Sequence, residues 1–154
     1  MFIGIAVGIP LVILTILVHY EILRITSNML PRLAIRPRQR IIVVILAAFL
    51  AHIIEIWLYA GAYYALHRAE LGSFGSLGGT FGGHIVEYVY FSAVSYTSLG
   101  LGDVWPSGVL RLITGLEALN GLILIAWSAS FTYLSMEKFW EDHPAPRSSP
   151  SLGG

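Results

Sequence analysis

Thr97-Ser98-Leu99-Gly100-Leu101-Gly102-Asp103 is the stretch on which the reading of this chain turns. Its two glycines alternate with leucines, a hydroxyl pair precedes them and a carboxylate follows. Glycine adopts left-handed backbone at little cost, so alternate glycines let successive peptide carbonyls turn to one side. Upstream, His84 to Thr97 is aromatic-rich, and its residues up to Tyr96 can form about three and a half helical turns. The C-terminal end of such a helix carries partial negative charge, and it would point at the glycine run.

The surroundings are apolar. Of 154 residues, 56% are hydrophobic and only 12% charged, against ~25% charged in an ordinary soluble domain. Mean hydropathy is +0.73. A membrane protein is the first reading. Three segments reach the ~20 apolar residues that a helix needs to cross the hydrocarbon: Met1 to about Tyr20, Ile41 to Leu66, and about Val109 to Ser135. The first lacks a basic n-region, carries Pro10 and shows no small-residue cleavage site, so it reads as a retained span. His84 to Thr97 is too short to span and fits a re-entrant segment, which needs protein around it.

Charge sets the expected orientation. Arg24, Arg32, Arg36, Arg38 and Arg40 lie between segments one and two, and Lys138 and Arg147 follow segment three. Only Arg68 and Arg111 fall on the other side. The positive-inside rule makes the first side cytoplasmic, so the N-terminus and the glycine run face outward and the C-terminus is cytoplasmic. Zero formal net charge and the absence of cysteine remove bulk attraction to nucleic acid and any disulfide framework.

The expected organisation has three parts: a first span with a basic connector over 1–40, a pore-like unit over 41–136, and a polar tail over 137–154. Pro31 and Pro37 argue against one continuous helix through the connector. It reads either as an interfacial helix on anionic lipid headgroups, with Arg32, Arg36, Arg38 and Arg40 as contacts, or as a plain loop. Gly72 to Gly83, with six glycines, reads as a flexible outer loop.

A dehydrated cation needs a shell of oxygens, and backbone carbonyls supply one where several chains each expose a carbonyl row. The run from Thr97 to Asp103, its preceding helix, Pro106 after it and the flanking spans together resemble the pore domain of the potassium channel superfamily. The layout covers roughly Ile41 to Ser135, and the motif Tyr90 to Pro106. The resemblance implies an all-α membrane fold: three spans, a re-entrant pore helix and a selectivity filter, assembled as a homotetramer. By that resemblance Thr97, Ser98, Leu99, Gly100, Leu101 and Gly102 hold K+ through carbonyl oxygens, with the Ser98 hydroxyl at the inner end. Asp103 stands at the outer mouth, and Tyr90 either pairs with it, as a pore-helix aromatic does in relatives, or belongs to the core. Leu99 and Leu101 would point away from the axis onto the pore helix. Ser98 and Leu101 depart from the family's usual Thr-Val-Gly-Tyr-Gly-Asp. Leucine cannot make the bracing hydrogen bond of that tyrosine, although some two-pore-domain potassium channels also read Gly-Leu-Gly. The alternatives are a poorly selective Na+/K+ channel of the same fold and a non-conducting membrane adaptor.

Ionisable groups within spans are functional candidates. His52 and Glu55 share one face of segment two, and Glu117 and Asn120 one face of segment three. They read as a gating network sensitive to protons or as a structural hydrogen-bond network. His52 and Glu55 alone are too few ligands for zinc, so no transition metal and no cofactor beyond filter-bound K+ is expected. Gly121 reads as a hinge or as close-packing surface. No segment carries a voltage sensor's arginine series, and no nucleotide or nucleophile motif is present, so no enzyme is expected. The absence of longer extensions points to a bacterial inner membrane.

Overall fold

A computed structural model describes residues 2–77 and 79–141, without the side chains of 37, 38 and 138–141. The expectations for Arg147, for the tail beyond 141 and for the side chains of Arg38 and Lys138 therefore lie outside the described residues.

The elements run α1 (Phe2–Met29), a 3-10 turn (Leu30–Arg32), α2 (Pro37–Arg68), β1 (Phe74–Ser76), α3 (Ile85–Tyr96), β2 (Val104–Pro106) and α4 (Leu110–Glu141). Three helical stretches are long and apolar enough to cross a membrane: Phe2–Arg32, Gln39–Arg68 and Leu110–Glu137. At 1.5 Å per residue, the 32 residues of α2 and of α4 are longer than the ~30 Å of hydrocarbon.

The connector differs from expectation. α1 runs on to Met29, so no loop begins at Tyr20. The break expected from Pro31 and Pro37 is present, helix stopping at Arg32 and resuming at Pro37, which opens the next helix. Pro37 occupies the first position of α2, where its missing N–H costs nothing, after Arg36 in extended backbone. Gln39 Oε1 accepts the Arg36 N–H at 3.1 Å and secures that start.

Each long helix buries one stripe. On α1 the buried residues are Gly4, Gly8, Thr15, His19, Leu23 and Thr26, a helical period facing α2 and α4. Ile5, Ile9, Ile13 and Leu17 lie on exposed surface, as lipid-facing residues should. On α4 the buried residues include Leu110, Ile113, Glu117, Asn120, Leu124 and Ser128.

α3 is short because it is capped at both ends. Glu87 Oε2 accepts the His84 N–H at 3.2 Å and Oε1 accepts the Gly82 N–H at 3.3 Å, the carboxylate standing where the helix dipole favours it. At the other end Thr97 Oγ1 donates to the Ala93 carbonyl at 2.8 Å. Between them Tyr88, Phe91, Ser92, Ser95 and Tyr96 form the buried face.

The glycine-rich segment is not merely a loop. β1 pairs antiparallel with β2, Phe74 opposite Pro106 and Ser76 opposite Val104, so the all-helical expectation misses a small clasp. Phe74 enters the aromatic core, edge-on to Phe91 (4.9 Å between centroids) and Tyr63 (5.9 Å), and stacked on Phe81 at 4.7 Å. The Ser107 N–H donates to the Ser73 carbonyl at 2.8 Å, and the Leu77 N–H to the Asp103 carbonyl at 2.9 Å. The clasp thereby fixes the outer end of the Thr97–Asp103 run to the exit of α2.

Candidate functional site

The run from Thr97 to Gly102 hangs from the C-terminal end of α3. The N–H groups of Thr97, Ser98 and Leu99 turn back to the carbonyls of Ala93, Ser95 and Val94, at 3.2, 2.9 and 3.0 Å. These donors satisfy the last carbonyls of the helix. Among the described residues, no backbone N–H in the loops and turns donates to a carbonyl of Thr97 to Gly102. The run is exposed over its whole length.

Its backbone alternates in hand. φ is +57° at Ser98, +58° at Gly100 and +76° at Gly102, while Leu99 and Leu101 between them stay negative. A side chain at Gly100 or Gly102 would meet nothing within 4 Å, so conformation rather than space requires glycine there. Ser98 adopts the same left-handed state despite its Cβ, at a cost of roughly 1–2 kcal/mol. Sequence reasoning assigned the alternation to the two glycines and missed its third member.

Leu99 and Leu101 are 64% and 58% exposed in the single chain, and do not pack on α3. The buried face of α3 is turned to α2 and α4. At the outer end the Tyr90 phenol donates to Asp103 Oδ2 at 2.7 Å, as the resemblance implied. Asp103 Oδ1 accepts the Val104 N–H at 3.1 Å. The carboxylate hydrogen bond raises the pKa of the Tyr90 phenol.

Behind the inner end of the run, five side chains from four helices close a hydrogen-bonded ring. His19 Nδ1 on α1 lies 2.8 Å from Glu55 Oε1 on α2. Glu55 Oε2 accepts from the Tyr96 phenol on α3. The phenol oxygen lies 2.8 Å from His52 Nδ1 on α2. His52 Nε2 and His19 Nε2 both lie 3.1 Å from Ser128 Oγ on α4. A diagonal of 3.2 Å joins His52 Nδ1 to Glu55 Oε2. Glu55 and His19 have no exposed side-chain surface, and His52 is 18% exposed. Three of these atoms, one each from His19, His52 and Glu55, lie within 4.8 Å of one another. The two ligands that the sequence placed together, His52 and Glu55, are thus joined by a third, His19, and the same atoms take part in the hydrogen-bonded ring.

A second network stands beside it. Glu117 accepts from Ser92 at 2.5 Å and from the Tyr63 phenol, and Tyr63 also reaches Thr114 at 3.2 Å. Asn120 Nδ2 donates to Thr15 Oγ1 at 2.8 Å and to the Tyr59 phenol oxygen at 3.2 Å. His52 and Glu55 thus join one assembly, and Glu117 and Asn120 bond to other partners.

The sequence model of a family described as "Ion channel" matches residues 41–138, well over half of the chain. The chain belongs to this ion channel family. No curated protein and no solved structure matches it. The match takes in α3, the Thr97–Asp103 run and nearly all of α2 and α4, and leaves α1 outside.

In this channel α1 is nonetheless built into the family unit. His19 closes the ring, and Thr15 completes the Asn120 network. Both were missed from sequence, as were Ser128, Tyr96, Ser92 and Tyr63. A signal for α1 was present: Thr15, His19 and Thr26 recur on one helical face of an otherwise apolar span. Gly121 lies against the end of α3, and a side chain there would collide with the Tyr96 carbonyl oxygen. That geometry is close packing.

Proposed function

We propose that the channel conducts potassium passively through a pore made by four copies of the chain. α2 and α4 are then the outer and inner helices of the pore, α3 is a re-entrant pore helix, and Thr97 to Gly102 is the selectivity filter holding bound K+. The observation that carries this reading is the alternation of φ at Ser98, Gly100 and Gly102. Alternation of this kind suits a row of carbonyls turned to one side, and the N–H groups of Thr97 to Gly100 are occupied by carbonyls of α3. Such a row serves a cation stripped of water. One chain supplies one wall, and closed cyclic symmetry supplies the rest.

The exposed apolar surfaces of the single chain fit this assembly. Leu99 and Leu101, with Leu119, Leu122 and Ile123 on α4, have somewhere to be covered when copies meet around an axis. Asp103, held by Tyr90, faces the outer mouth and concentrates cations there. The excess of arginine on the connector sets the N-terminus outside and the C-terminus in the cytoplasm. Arg32, Arg36, Arg38 and Arg40 then meet anionic headgroups, in a bacterial inner membrane.

Weaker selectivity is the second reading, and Leu101 favours it. Its side chain has no hydrogen-bonding atom to brace the filter from behind. Purified channel in liposomes, under opposed potassium and sodium gradients, separates the two. Potassium flux far above sodium flux from a tetramer supports the first; comparable fluxes support the second. No flux of either ion from a well-folded tetramer contradicts both.

A further inference from the structure

The ring behind the run poses a counting problem whose solution bears on function. Its five contacts join Glu55, Tyr96, His52, Ser128 and His19 in a closed circuit. Each contact needs one proton between its two heavy atoms. Five protons satisfy all five contacts in more than one way. In one, every group is neutral: Tyr96 donates to Glu55, Glu55 to His19 Nδ1, His19 Nε2 to Ser128, Ser128 to His52 Nε2, and His52 Nδ1 to Tyr96. In another, one proton has moved from Glu55 to His19, leaving a carboxylate and an imidazolium. Every such arrangement carries zero net charge. With four protons, one contact sets lone pair against lone pair in a buried site, which is costly.

A sixth proton fits. With both histidines protonated, both Nε2–H groups donate to Ser128 Oγ, which has two lone pairs. The Ser128 hydroxyl then turns to the carbonyl one helical turn back. Its neighbours on α4 already do so: Ser130 to Ala126, Thr132 to Ser128 and Ser135 to Phe131, at 3.0, 2.8 and 2.8 Å. The ring therefore passes from neutral to one positive charge without losing a contact.

We propose that this ring is a proton-binding site that takes up one proton on acidification and thereby reduces cation flux through the channel. Histidine is the side chain that titrates in the physiological range. His52, the exposed member, gives the proton its way in. The Tyr96 phenol belongs to the ring and its backbone leads directly into Thr97, so the ring adds one positive charge per copy behind the start of the run. There it repels a permeating cation. The titratable groups packed on the site are His19 from α1, His52, Glu55 and Tyr59 from α2, Tyr96 from α3 and Glu117 from α4.

The effect on flux rests on the conduction reading above; the proton uptake does not. Two readouts on the intact channel in lipid keep them apart. Side-chain 15N NMR of histidine between pH 8 and pH 5 should end with both His19 and His52 as imidazolium, one proton having been taken up per chain, and both signals should be altered by Ser128→Ala. Potassium flux should fall roughly tenfold over that range in the wild type. It should be flat in His52→Asn, which keeps a polar atom near Nδ1 but does not titrate. Coupled titration in a protein without flux at any pH supports the proton site and sinks the conduction reading. Absence of histidine titration in this range overturns the proposal. So does a flux fall of equal size in His52→Asn, or stoichiometric zinc binding that moves both histidine signals at neutral pH.

Discussion

The carbonyl oxygen of Tyr96 occupies the place where a side chain at Gly121 would have to stand. Backbone cannot rotate away as a side chain can, so Gly121→Ala must push α3 off α4. Overpacking of this kind costs about 1–3 kcal/mol. Gly115, on the same helix, has open space around it. Gly115→Ala should gain up to roughly 1 kcal/mol of helix propensity. Thermal unfolding in lipid should lower the midpoint of the first variant and not of the second. A Gly121→Ala channel with wild-type stability and open probability would contradict both the packing and the hinge readings of this glycine.

Ser98 holds left-handed backbone that suits glycine better. Ser98→Gly should relieve about 1 kcal/mol of strain while removing the inner hydroxyl. Ser98→Val should be worse than either, because a β-branched residue resists positive φ. The order Gly, Ser, Val in thermal stability checks the conformation. Ion selectivity measured on Ser98→Gly separately checks the hydroxyl.

Tyr90 donates to Asp103, and that bond raises the pKa of the phenol above the ordinary value of about 10. The folded chain therefore holds this proton more tightly than the unfolded chain. The stability it supplies is present below pH ~10, and is lost as pH rises through the higher folded value. The tyrosinate absorbance of Tyr90, taken as the difference between wild type and Tyr90→Phe, should rise at higher pH than free tyrosine. In an Asp103→Asn background it should return to the ordinary range.

Glu117 receives hydrogen bonds from two other helices, Ser92 on α3 and Tyr63 on α2. Tyr63→Phe and Ser92→Ala should each cost about 0.5–1.5 kcal/mol. Because they share one acceptor, the double variant should depart from additivity by about 0.5 kcal/mol or more. Urea or thermal unfolding of the four members of the cycle measures it. Strict additivity would mean that the two bonds act independently.

The three spans were legible because apolar length is a local property, and α3 because its aromatic residues recur at helical spacing. The glycine run was legible only in combination: Gly-x-Gly-Asp by itself occurs in many turns, and the hydroxyl pair, the preceding helix, Pro106 and the flanking spans singled this one out. The clasp was not: glycine-rich composition reads as loop, and only the burial of Phe74 among Tyr63, Phe91 and Phe81 fixes a strand there. α2 begins four residues before the apolar segment at Ile41, because Pro37 opens a helix at its first turn and the polar residues after it carry no hydropathy signal. The ring was half legible. Spacing placed His52 with Glu55, whereas His19, Tyr96 and Ser128 meet them through packing between helices that no periodicity encodes.

The central claim is a potassium-selective pore built from Thr97 to Gly102, and the reversal potential tests it most directly. Channels in a planar bilayer with potassium on one side and sodium on the other should reverse near the potassium equilibrium potential, and Gly100→Asp should carry no current. Reversal near zero would contradict selectivity, and undiminished current through Gly100→Asp would contradict the placement of the ion path.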